Sequence, residues 1–83
     1  MSALDELFEA LRVADEHLRR AQQHLGTGRT ALTEVEQALR RIDPEHPESV
    51  VPPTLHRADD QVEHAQGLVE RTSDTVRDYL TRL

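Results

Sequence analysis

Apolar residues recur along this chain at alternating intervals of three and four. Leu4, Leu7, Leu11, Ala14, Leu18, Ala21 and Leu25 follow that rule, and so do Leu32, Val35, Leu39 and Ile42. Such spacing puts all of these side chains on one side of an α-helix. The position that joins the two runs is Gly28, so the phase is kept across Gly26-Thr27-Gly28. Glycines ordinarily mark a helix end, and each costs about 1 kcal/mol relative to alanine inside one. A loop, however, has no reason to preserve the phase of the residues on either side of it. The pattern therefore predicts one helix over 2–42, with a candidate kink at Gly26–Gly28. The alternative is a short turn near 26–29 and three helices in all.

Ser2 with Asp5 three residues on reads as a capping box that opens this helix. Asp43-Pro44 closes it, because a residue before proline is pushed away from helical angles. The segment 43–53 holds all four prolines of the chain and predicts a linker without regular structure. Within it, Val50 and Val51 are expected to tuck against the end of the fold. Thr54 is the candidate cap of a second helix. That helix, over 54–83, repeats the same alternation through Leu55, Ala58, Val62, Ala65, Val69, Thr72, Val76, Tyr79 and Leu83.

Two helices and one short linker predict an all-α, antiparallel helical hairpin, a single domain over 1–83. Folding the chain at the linker pairs Ile42 with Leu55, Leu39 with Ala58, Val35 with Val62, Leu32 with Ala65 and Gly28 with Val69. The series continues with Leu25 and Thr72, Ala21 and Val76, Leu18 and Tyr79, and Ala14 and Leu83. Most layers set a large residue against a small one, as a filled core requires. Gly28 becomes a notch beside Val69. Leu4, Leu7 and Leu11, with Phe8 beside them, outrun the second helix. Ala10, Ala31, Ala38 and Leu68 flank the seam on one side and Leu80 on the other. Extra apolar flanks predict a four-helix bundle built from two hairpins. The candidate interface is Leu4, Leu7, Phe8, Leu11, Ala31, Ala38, Leu68 and Leu80, and the expected partner is a second copy or a similar hairpin.

Composition narrows the function. A chain of 83 residues buries little surface, and with no cysteine it has neither disulfides nor thiolate metal sites to stiffen it. The net charge of -6 opposes bulk attraction to nucleic acid or anionic lipid. Phe8 and Tyr79 are the only aromatic residues, too few for a base-stacking platform. No apolar run approaches the roughly 20 residues of a membrane span. The residues Met1 to Phe8 are acidic where an export signal is basic, which predicts a cytoplasmic protein, with leaderless secretion as the alternative.

Candidate chemistry is thin. His56, Asp60 and His64 are spaced at four on one helix face, yet the three span two turns and reach a common metal poorly. His17 and His24 lie a heptad apart beside the seam, where a pH-sensitive contact is conceivable but half-buried spacers are the expected role. Asp15-Glu16 and Asp59-Asp60 point in diverging directions and face no cleft. Gly26-x-Gly28 lacks the preceding strand and third glycine of a dinucleotide loop. No catalytic residue, cofactor, metal or small-molecule substrate is expected. The runner-up to a protein-interaction module is a small regulatory nucleic-acid binder using Arg19, Arg20, Arg29, Arg40 and Arg41.

All ten basic residues are arginine, a bias of high-GC genomes. Two long helices in so short a chain resemble the Trp-x-Gly helical-hairpin proteins of type VII secretion and the short helical modules that precede toxin domains in actinobacteria. The resemblance is architectural and spans the whole chain. It implies a non-enzymatic, dimeric, secretion-associated adaptor. The linker from Pro44 to Pro53 carries no tryptophan, and Tyr79 is followed four residues on by Leu83 where the family's signal has an acid. No functional residue is carried over.

Overall fold

In a computed structural model, residues 2–83 are described, and among them the chain forms two long helices and one short one. Helix α1 runs Ala3–Arg40 and α2 runs Pro53–Arg82, with a single 3₁₀ turn at Pro47–Ser49 between them. The hairpin is a rod of 65 × 16 × 15 Å. That length is set by α1, since 38 residues at about 1.5 Å each give roughly 57 Å of helix.

Helix α1 starts as its sequence dictates. Ser2 is the N-cap: Asp5 N–H donates to its Oγ at 3.1 Å, and Ser2 N–H donates to Asp5 Oδ2 at 3.5 Å. The helix then passes through Gly26-Thr27-Gly28 unbroken, and no glycine takes a positive φ. The kept phase thus reports a continuous helix. The packing reason given to Gly28 does not hold, because a Cβ built there meets nothing within 4 Å, and the same is true of Gly26.

The helix ends at Arg40, two residues before the expected limit, and leaves Ile42 exposed in the turn. The linker is more ordered than its proline content implies. Pro47 starts the 3₁₀ turn, where its missing N–H costs nothing, and Ser49 N–H donates to His46 O at 3.1 Å. Arg40 ties this turn to α1 through Glu36 at 2.7 Å and Glu48 at 2.6 Å, and those hydrogen bonds raise the guanidinium pKa further above its ordinary value. Val51 is buried beneath the turn and Val50 half-buried, as the sequence leads one to expect. Thr54 does not cap α2. Pro52 holds the N-cap position in an extended conformation and Pro53 is the first helical residue, where its fixed φ suits a helix start.

The seam between the helices is turned relative to the expected one. On α1 every seventh residue from Leu4 to Leu39 is leucine, and all but Leu4 are half-buried. The second covered position is not chiefly that of Leu7, Ala14, Ala21, Gly28, Val35 and Ile42, where the small Ala14, Ala21 and Gly28 are half-buried and the larger Leu7, Val35 and Ile42 exposed. It is the neighbouring position of Phe8, Asp15, Gln22, Arg29 and Glu36, all half-buried. The same rotation holds on α2. Leu55, Val62, Val69 and Val76 face inward together with Asp59, Gln66, Ser73 and Leu80, whereas Thr72 and Tyr79 are exposed. Ser73 and Val51 are the only buried residues among those described.

The cross-helix polar bonds explain this turn. Arg29 lies between α1 and α2 and donates to Asp59 Oδ1 at 3.3 Å and to Gln66 Oε1 at 3.2 Å, with Glu63 at 3.4 Å. Arg77 donates to Asp15 Oδ1 at 3.3 Å. Satisfying these groups draws the polar positions into the edge of the seam, where their methylene stems cover apolar surface. The pairing of layers also changes. The expected register set Arg29 beside Leu68 and Asp15 beside Arg82, but every partner observed lies on the linker side of those residues. The far end of α2 therefore reaches further along α1, and Phe8, Leu11 and Leu80 are half-buried there.

Because Gly26 fills no notch and lies off the face shared by Leu7, Ala14, Ala21 and Val35, Gly26→Ala should stabilise the chain by about 1 kcal/mol. Urea unfolding at fixed protein concentration measures this; a loss of stability would show that Gly26 is needed for close approach.

Candidate interaction surface

Rotating the two helices about their axes gives the hairpin two unlike faces. In an antiparallel pair, the equivalent flanks of the two helices lie on the same side. The face beyond Arg29 and Asp15 is polar and carries all the cross-helix ion pairs described. The opposite face holds what the seam leaves uncovered. On α1 this is the position of Leu7, Ala14, Ala21, Gly28 and Val35, of which Ala14, Ala21 and Gly28 are half-buried and the others exposed, together with that of Ala10, His17, His24, Ala31 and Ala38. On α2 it is the position of Ala58, Ala65, Thr72 and Tyr79, together with that of Gln61, Leu68 and Thr75.

The candidate interface residues from the sequence divide across this geometry. Leu4, Leu7, Ala31, Ala38 and Leu68 are exposed. Leu7, Ala31, Ala38 and Leu68 share the open face; Leu4 sits at the start of α1 on the leucine position. Phe8, Leu11 and Leu80 are half-buried within the hairpin end. The residues missed were Val35, Ile42 and Tyr79. They carry the same three-and-four spacing as the buried ones, and spacing alone does not say on which side of a broad apolar arc the partner helix will lie.

The other side-chain groups show little that binds or reacts. His17, His24, His56 and His64 are exposed, and no group of three or more His, Asp or Glu among the described residues is arranged to hold a metal ion. No cavity is found among them either. No helix there is long and apolar enough to cross a membrane. Seven of the ten arginines pair with nearby carboxylates; no ion pair is found for Arg41, Arg57 or Arg71 among the described residues. Arg12 pairs with Glu9, Arg19 and Arg20 with Glu16, and Arg82 with Asp78, in addition to the contacts of Arg29, Arg40 and Arg77. Exposed pairs of this kind add about 0–1 kcal/mol each to stability, but they blunt any attraction to phosphate.

One polar atom at the seam is orphaned: Gln22 Oε1 is buried without a hydrogen-bond partner. Compared with family models, curated proteins and solved structures, the chain finds no match.

An unpaired buried amide oxygen costs about 1–3 kcal/mol, so Gln22→Leu should stabilise the hairpin by about 1 kcal/mol after allowance for imperfect packing. Thermal unfolding at a fixed protein concentration reads the change; a fall in Tm would mean that Gln22 finds a partner in solution.

Proposed function

We propose that this chain is a non-enzymatic assembly module that works by binding helices, first of all those of a second copy of itself. The observation that carries the reading is surface that the fold fails to cover. The chain exposes 6280 Å². A compact monomer of 9.5 kDa exposes about 5,000 Å², so the excess is about 1,200 Å². A stable protein interface removes about 800 Å² from each partner. The single hairpin thus holds in the open at least as much surface as one side of such an interface.

The internal contacts agree with this reading. No large side chain is fully buried among the described residues, and the seam between the helices is half polar. Small domains lacking disulfides and metals commonly reach adequate stability by oligomerising. A nucleic-acid partner fits less well, since four of the five arginines that would meet phosphate, Arg19, Arg20, Arg29 and Arg40, already hold carboxylates. The architectural likeness to secretion-associated hairpins points the same way, toward a dimeric adaptor.

At micromolar concentration, sedimentation equilibrium should return twice the chain mass of 9.5 kDa, and the midpoint of thermal unfolding should rise with protein concentration. A well-folded monomer whose Tm is independent of concentration overturns the proposal.

A further inference from the structure

The heptad positions left open by the hairpin form a single face with an unusual charge pattern. The chain has 16 acidic residues, and none of them falls on the two open positions of α1 or the two of α2. Arg82, at the last turn of α2, is the one charged residue there. Four large residues stand on the face with much of their surface exposed: Leu7 at 49 %, Val35 at 48 %, Leu68 at 46 % and Tyr79 at 54 %, while Ile42, in the turn just beyond α1, is exposed at 70 %. Between them lie small, half-buried residues, Ala14, Ala21, Gly28, Ala58 and Ala65.

We infer that this uncharged face, and not the leucine cluster at the N-terminal end of α1, is the surface on which a second copy of the chain docks, face to face, to close a four-helix bundle. The inference rests on the self-associating reading and assigns its surface.

Three features select a second copy as the occupant. In a two-fold dimer the same patch meets itself, so any charge on it faces its own kind. With a net charge of -6, every other long face of the rod would bring carboxylates together; this one brings none. The surface excess of the whole hairpin, about 1,200 Å², is more than the roughly 800 Å² that one side of a stable dimer interface removes, and the face spans both helices instead of one end. And the face mixes large residues with alanine and glycine along its length, so two copies can set large against small, as a filled interface requires. The N-terminal cluster offers less. Phe8 and Leu11 are already half-covered within the hairpin, which leaves Leu4 and Leu7 as its exposed part.

Cysteine labelling tests the assignment cleanly, because the chain has no cysteine of its own. Ala31→Cys and Thr72→Cys place reporters on the uncharged face, at positions exposed in the single hairpin, so only a partner can protect them. Gln37→Cys and Asp74→Cys place reporters on the polar side. Reaction with a maleimide at micromolar concentration should be slower at the first two by about tenfold or more, and the difference should vanish on dilution below dissociation. Ala31→Glu should dissociate the dimer with helicity kept, whereas Gln37→Glu should not. If the chain is dimeric by sedimentation yet all four cysteines react alike, the surface assignment falls and self-association stands. If the chain is monomeric throughout, both fall.

Discussion

Two straight helices touch along one narrow line, and each helix of this chain has an apolar arc wider than that line. The leucines at 11, 18, 25, 32 and 39 are used whichever way α1 is turned, since they sit at the middle of its arc. What remains open is which flank joins them. Arg29 and Asp15 decide it, by reaching Asp59, Glu63, Gln66 and Arg77 across the seam. Each contact is weak by itself, at most about 1 kcal/mol for groups this exposed. The apolar flanks of α1 are mostly alanine and glycine, so little burial is lost by turning them outward, and weak polar bonds suffice to set the rotation.

That choice has a cost and a benefit for the chain. Gln22 is drawn in without a partner for its Oε1, and Ser73 becomes one of two buried residues in a place where a leucine would bury more. In return, the surface turned outward is free of acids. A leftover face lined with acids would repel a second copy; this one carries none, which suits it to the proposed second seam. The proposed dimer and the polar edge of the hairpin are thus two results of a single rotation.

The fold was legible in the sequence to the extent that it depended on phase and on local chemistry. Unbroken spacing across Gly28, the capping box of Ser2 and Asp5, and the proline boundary all led to the right elements. Errors arose where energies are small or non-local. Thr54 was expected to cap α2, but Pro52 and Pro53 start that helix one residue earlier by fixing the backbone. Gly28 was given a packing role because it faced Val69 in a register built by counting outward from Ile42 and Leu55. The linker draws the helices into a different register, and the notch disappears. Val35, Ile42, Thr72 and Tyr79 were placed inside because spacing identifies an apolar arc and not the line within it that a partner covers. The open face was illegible for the same reason: it needs the rotation to be known.

The glycines gain another meaning from the bond between Arg29 and Gln66. That bond sets the middle of α1 level with the middle of α2, so Gly67 comes close in height to Gly26 and Gly28. Threonines 27, 30 and 33 donate their hydroxyls to carbonyls one turn back in the same stretch, a bond that competes with helical regularity and favours bending. The glycines of both helices thus lie at about the same height, near mid-length. Local helix propensity is therefore lowest at the waist of the rod, where the Arg29 clasp joins the two helices.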